Sequence, residues 1–231
     1  MDERALRELE LLDVARLYGF ESTTAAIQSA TAVIPAEAGI QSHGASRATW
    51  AELRVLVTEC RACGLCRQRK QAVFGVGAEA GPWLFVGEGP GAEEDAQGDP
   101  FVGQAGRLLD AMLAAIGCQR GRDVYIANVV KCRPPGNRTP TAEEAAACAP
   151  FLDRQVELVA PKVIVALGKA AAARLLRTEA SIASLRGKVH DYHGIPVIVT
   201  YHPAYLLRSL TEKAKAWEDL LFARRTLSLK P

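Results

Sequence analysis

Four short apolar runs lie along the chain at intervals long enough to hold a helix between them. They are Trp83–Val86, Val124–Ala127, Val163–Leu167 and Pro196–Thr200. Each is continuously apolar rather than alternating, the signature of a strand covered on both faces. We expect strands over 83–88, 124–130, 163–168 and 196–201. The stretches 103–116, 141–159, 169–177 and 212–225 place apolar residues at helical spacing, and another helix is expected from near Thr49 into Cys60. Thr141-Ala-Glu-Glu144 reads as a capping box, with Thr141 as N-cap and Glu144 at the third helical position. Strands alternating with helices specify a parallel sheet with helices on both faces. The expected fold is an α/β three-layer sandwich around a central, mainly parallel four-stranded sheet.

The N-terminal part departs from this pattern. Residues 4–18 carry leucines and alanines at helical spacing, and residues 21–47 are rich in Ala, Ser, Thr and Gly without a sustained period. We expect 1–47 to be a short helix plus a flexible linker, and 48–231 to be one domain. Met1–Phe20 lacks the basic and apolar regions of a signal peptide, and no apolar stretch is long enough to span a bilayer. A cytoplasmic location is expected, where six cysteines are not structural disulfides. The formal net charge of +2 leaves nucleic-acid contact to local clusters. Four bases lie between Arg61 and Lys70, Lys131, Arg133 and Arg138 flank a Pro-rich loop, and Arg186 stands near Lys188.

Polar loops follow three of the expected strands: Gly87–Phe101, Asn128–Thr139 and Tyr201–Arg208. In a parallel sheet they emerge at one edge, where open α/β sheets bind ligands. The first loop, Gly87-Glu-Gly-Pro-Gly-Ala-Glu-Glu-Asp95, lacks GxGxxG spacing and a following Lys-Ser or Lys-Thr, so it is not a nucleotide-phosphate loop. Its glycines permit close approach of backbone to a ligand. Cys60 and Cys63 form a CxxC, which Cys66 extends to CxxCxxC; Cys132 and Cys148 are a second pair, with fifteen residues between them. Four such thiolates suit zinc or an iron–sulfur cluster, and spacing alone does not choose between them. Cys118, near a helix end, reads as a buried apolar residue.

Together these motifs resemble those of the family-4, iron–sulfur uracil-DNA glycosylases. The resemblance rests on the CxxC, on Gly87–Asp95 running through Pro100-Phe-Val-Gly-Gln-Ala-Gly106, on Asn128-Val-Val-Lys-Cys-Arg-Pro-Pro-Gly-Asn-Arg-Thr-Pro140, and on His202-Pro-Ala-Tyr-Leu-Leu-Arg208. It covers about residue 50 to the C-terminus. It implies hydrolysis of the N-glycosidic bond of uracil flipped out of single- or double-stranded DNA, by a monomer, as a step of base excision repair. It also implies a structural 4Fe–4S cluster on Cys60, Cys63, Cys132 and Cys148, with zinc the alternative and Cys66 outside the pattern.

The resemblance assigns catalysis to His202, Glu88 and Asn137. His202 would stabilise charge on the departing uracil, the loop from Glu88 would hold water or face a cationic sugar, and Asn137 would contact sugar or water. Phe101 would stack on the base and Asn128 would read its edge. Gly89, Pro90, Gly91 and Glu94 would line the pocket. Leu206 would fill the gap in the base stack, with Arg208, Lys131, Arg133 and Arg138 on phosphates. Three departures stand out: Ala204 follows the His-Pro where the family often has Ser, Gly89 stands where other branches place Asp, and Gly91 lacks the bulk that elsewhere excludes thymine's methyl group. No Arg-Arg-Ile-His insertion follows Cys132, which favours turnover over the covalent adduct of a related branch. The rival readings are a non-catalytic, four-cysteine nucleic-acid-binding module, an iron–sulfur electron carrier and a covalent uracil-DNA binder. Residues 1–47 lie outside the resemblance and are a candidate segment for a replication partner.

Overall fold

A computed structural model describes residues 44–228. The helix expected at 4–18 and residues 21–43 of the expected linker lie outside the described residues. Ala45–Arg47 forms a 3-10 turn instead of linker, because Ala45 and Ala48 are core residues and Arg154 Nε donates to the Ala48 carbonyl at 2.8 Å.

Among the described residues the sheet has six strands rather than four. In chain order they are β1 (Val76–Gly77), β2 (Trp83–Gly87), β3 (Val124–Asn128), β4 (Val163–Leu167), β5 (Val189–Tyr192) and β6 (Ile195–Thr200), arranged β1-β3-β2-β4-β6-β5. The four expected strands form the parallel centre. β1 and β5 add antiparallel edges. The edges escape sequence reading for physical reasons. β1 is only two residues long, and β5, whose first three residues are exposed or half-buried, has no apolar run.

The helices are α1 (Trp50–Glu59), α2 (Ala92–Gln97), α3 (Gln104–Ala115), α4 (Ala142–Val159), α5 (Lys169–Leu176), α6 (Ile182–Leu185), α7 (Pro203–Leu206) and α8 (Lys213–Ser228). The capping box of α4 is present, with Glu144 N donating to Thr141 Oγ1 and Thr141 N to Glu144 Oε2. Thr49 and Glu52 start α1 in the same way.

Of the central strands, β2, β3 and β4 are buried along their whole length and β6 beyond its first residue, and they alternate between two cores. Leu84, Val86, Tyr125, Ala127, Ile164 and Ala166 face α1, α4 and α5. Trp83, Phe85, Val124, Ile126, Val163 and Val165 face α3 and α8. This is the three-layer arrangement that the continuous apolar runs require. Leu152 on α4 is fully buried against the first core. Leu152→Ala is expected to cost about 2–5 kcal/mol, read as a lower urea midpoint with an unchanged slope.

Candidate active site

The loops after β2, β3 and β6 meet at the carboxyl edge of the sheet around a cleft of about 510 Å³, a size suited to a small ligand. Glu88, Gly89, Pro90, Gly91, Glu94, Phe101, Asn128, Asn137, His202, Arg138 and Arg208 all line it. The structure therefore brings together every residue expected in catalysis or base binding, although they come from three separate segments.

Parallel pairing places Gly87 beside Asn128, each the last residue of its strand. A Cβ on Gly87 would lie 2.4 Å from Asn128 Oδ1 and 2.6 Å from Phe101 Cζ, so only glycine leaves room for both side chains. Asn128 is buried, and its Oδ1 has no hydrogen-bond partner among the described residues. Phe101 is almost buried and takes a left-handed backbone with φ of 55°, a strained conformation for a bulky residue. Two residues hold it there. Arg120 donates to the Pro100 and Phe101 carbonyls at 2.7 and 2.9 Å, and Glu94 accepts from the amides of Gly91, Val102 and Gly103. Glu94 thus lines the cleft mainly as a clamp on its own loop. Arg120, which lies between loops in sequence, offered no local signal for this role.

His202 stacks on Phe101, with ring centroids 5.4 Å apart and planes inclined at 28°. Its Nδ1 accepts from the Ala204 amide at 3.1 Å, which places the proton on Nε2 in the neutral ring. Withdrawal from water lowers its pKa to about 4, and the Arg208 charge adds to this while Glu94 opposes it. The imidazole is therefore neutral at physiological pH and presents an N–H donor. Glu88 moves the other way. Burial raises its carboxyl above the usual range, against a hydrogen bond from Thr139. Asn137 sits exposed at the rim, with its Oδ1 accepting from Arg133 Nε at 2.7 Å.

Two expectations at this edge are corrected. Leu206 is only 1% exposed and packs inward from α7, so it cannot project into a base stack. Its neighbours Tyr205 and Leu207 are the exposed residues there. Sequence spacing counted four residues from His202, whereas one turn of helix turned that position into the core. Lys131 is likewise 1% exposed and cannot meet a phosphate. Its Nζ donates to the Asn128 carbonyl at 2.8 Å and to Gln155 Oε1 at 2.6 Å. Burial lowers its pKa to about 8, against the opposing influence of Cys148, Asp153 and Cys132. Arg208 and Arg138 are exposed at the cleft, Arg138 in an ion pair with Glu144, and Arg133 is half-buried.

The four expected cysteine ligands come within electrostatic range of one another. Cys63 responds to Cys60, Cys132 to Cys63 and Cys60, and Cys148 to Cys132 and Cys60. Each sulfur also receives an N–H donor. Ala62 N reaches Cys60 at 3.5 Å, Leu65 N–H serves Cys63, Arg69 Nη1 reaches Cys132 at 2.9 Å and Lys131 N reaches Cys148 at 3.3 Å. Such donors suit sulfurs that carry negative charge in a metal centre. Without a cation, burial pushes Cys132 up to about 11 and Cys148 up to about 12, so a metal would have to displace their protons. Among the described residues no three Cys, His, Asp or Glu side chains are grouped as a single ion needs. Four thiolates are a donor set suited to zinc or to an iron–sulfur cluster. Arg69 also donates to the Thr58 and Cys60 carbonyls, binding the two cysteine segments together. Its place in the basic run Arg61–Lys70 had suggested only a surface charge.

Residues 74–221 match the profile of the Uracil DNA glycosylase superfamily. The chain is 50% identical over 161 residues to the type-4 uracil-DNA glycosylase of Thermotoga maritima, covering 69% of this chain and 83% of that protein. It is 47% identical to the type-4 enzyme of Archaeoglobus fulgidus, over 65% of this chain and 79% of that protein. It is 42% identical to that of Pyrobaculum aerophilum, over 73% and 90%.

The protonation state of His202 is directly measurable. An NMR titration of the ring is expected to show the Nε2–H tautomer and an inflection near pH 4; an inflection at or above the free-histidine value of about 6.5 would overturn this assignment.

Proposed function

This chain belongs to the uracil DNA glycosylase superfamily, in its type-4 branch, and from that premise we propose that it is a monofunctional DNA repair enzyme that excises uracil from DNA and leaves an abasic site. The observation that carries this reading is the buried, unpartnered Oδ1 of Asn128 in the wall of the cleft. A buried acceptor without a donor costs roughly 1–3 kcal/mol. Uracil N3–H supplies that donor, and the asparagine amide donates to uracil O4 in return. Cytosine carries no hydrogen at N3 and leaves Oδ1 unpaired, which is an effective basis for rejection.

A uracil flipped out of the stack lies against Phe101. As the N1–C1′ bond breaks, its electron pair passes to the uracil ring and negative charge gathers on O2. The Nε2–H of neutral His202 donates to that oxygen as the charge develops. The sugar becomes cationic. The Glu88 carboxylate faces that cation and accepts a proton from the water that attacks C1′, and Asn137 positions sugar or water. Gly89, Pro90 and Gly91 form the wall near the base, where added bulk would collide: a Cβ at Gly89 would meet Val130 Cγ2 at 2.7 Å and one at Gly91 would meet Glu94 Oε2 at 2.7 Å.

We assign Cys60, Cys63, Cys132 and Cys148 to a 4Fe–4S cluster. When bound, it supplies a covalent tie between the Cys60–Cys63 turn and the loop after β3, with no redox step in the hydrolysis. Arg208, Arg133 and Arg138 take the phosphates, and Leu207, with Tyr205, replaces Leu206 as the residue that fills the vacated stack. No helix among the described residues is long and apolar enough to cross a membrane. We further propose a cytoplasmic monomer, residues 48–231 forming the glycosylase domain and residues 1–47 serving as an accessory segment for a replication partner.

A labelled oligonucleotide with one uracil, beside a thymine control, tests the activity. Alkali-labile breaks are expected at uracil only, with His202→Ala slower by about 10²–10³-fold, the usual cost of losing such a donor. Salt-sensitive binding without breaks would indicate a non-catalytic module, and a covalent protein–DNA band an adduct-forming protein. The acid limb of kcat/KM is expected to report Glu88. Its raised pKa means that the working carboxylate is lost as pH falls through that value, while His202 remains neutral. Glu88→Gln should therefore remove the acid limb together with most of the rate. Arg208→Ala is expected to reduce the slope of log affinity against log salt by about 1, as read by fluorescence anisotropy; an unchanged slope would remove Arg208 from the phosphate contacts.

A further inference from the structure

We propose that Lys131 is a positioning residue that couples the four-cysteine site to uracil recognition, by holding the backbone that presents Asn128. This rests on the functional reading above. The ammonium is buried, and among the described residues no carboxylate forms an ion pair with it. Removing a charge from water is costly unless the protein replaces its hydration. Here the replacement is specific. Nζ donates to the Asn128 carbonyl and to Gln155 Oε1. Gln155 is itself oriented by donating to the Phe74 carbonyl at 2.8 Å and the Tyr125 hydroxyl at 3.3 Å. The lysine is thus braced from behind by a fully buried network and pulls directly on the residue whose side chain faces the base.

The other end of the same five-residue segment is tied to the cysteines. Lys131 N donates to Cys148 Sγ at 3.3 Å, and Cys132 is the next residue in the chain. Between these ends, the Val129 and Val130 amides donate to the Gly87 and Glu88 carbonyls, and the Lys131 carbonyl accepts from Val73 N. Residues 128–132 therefore form one rigid strut. It runs from the base-reading amide to the thiols, and Lys131 bonds to both ends. A displacement at the cysteines transmits through it to Asn128.

The test uses the full-length, metal-loaded enzyme in a double-mutant cycle. Lys131→Met removes the charge and the donor at similar volume. It is expected to lower kcat/KM for uracil excision by about tenfold to a hundredfold, from the two buried acceptors it strands. In an Asn128→Ala background the same change should cost less than about threefold, because a positioning residue has nothing left to position. Bound metal should also be lost to a chelator faster from Lys131→Met than from wild type. Equal losses in both backgrounds, or unchanged metal retention, overturn the proposal. If Lys131→Met does not yield folded, loaded protein, Gln155→Leu carries the same cycle, with the same non-additive pattern expected, since it frees Lys131 from its brace. Absence of uracil excision by the wild-type enzyme would instead defeat the functional reading; excision with additive losses defeats this inference alone.

Discussion

The parallel register of β2 and β3 is the constraint on which the site depends. It sets Gly87 opposite Asn128 at the point where both strands end, and the pairing continues past the sheet through the Val129 and Val130 amides. Two loops of very different composition, one acidic and glycine-rich and the other basic and proline-rich, are thereby fixed to each other at hydrogen-bond distance. A slip of one residue would turn Asn128 to the opposite face of the sheet. The fully buried strands make that slip prohibitive, because it would exchange the residues of the two cores.

Strain and unsatisfied polarity are concentrated beside this junction. The left-handed backbone of Phe101 and the unpaired Oδ1 of Asn128 are each unfavourable in isolation. They persist because the surroundings over-determine them. Arg120 and Glu94 clamp the Phe101 loop, while Lys131 and Gln155 clamp the backbone at Asn128. A pocket held in this way does not have to reorganise when a flat base enters, so the interactions made there can discriminate between bases. The desolvated, neutral His202 belongs to the same design. A donor without formal charge stacks on Phe101 at a lower desolvation cost than an imidazolium would.

The four candidate ligand cysteines are not among the residues that line the cleft. Their sulfurs come from the turn after α1, the loop after β3 and the body of α4. Arg69 crosses between these segments, so the basic run Arg61–Lys70 is partly an internal tie. The cluster reading and the catalytic reading therefore concern one mechanical unit, with the segment 128–132 as its shared member.

Much of this was legible in the amino-acid order. Continuous apolar runs separated by helical spacing determined the central strands, the helices between them and the edge at which polar loops meet, because full burial and backbone periodicity are local properties. The motifs around Gly87, Asn128 and His202 named the residues of the cleft through their resemblance to a known family, because such motifs are contiguous stretches of sequence. What only the tertiary structure decided was direction and partnership. Leu206 and Lys131 sit in motifs that read as DNA-facing, yet α7 turns one into the core and the α4 side chain Gln155 draws the other inward. Arg120, Arg69 and Gln155 gave no local sign of their roles, since each acts on a segment between nine and 81 residues away. Which side of a short turn faces water, and which distant carbonyl a long side chain reaches, are set by packing between elements. No single stretch of sequence contains that information.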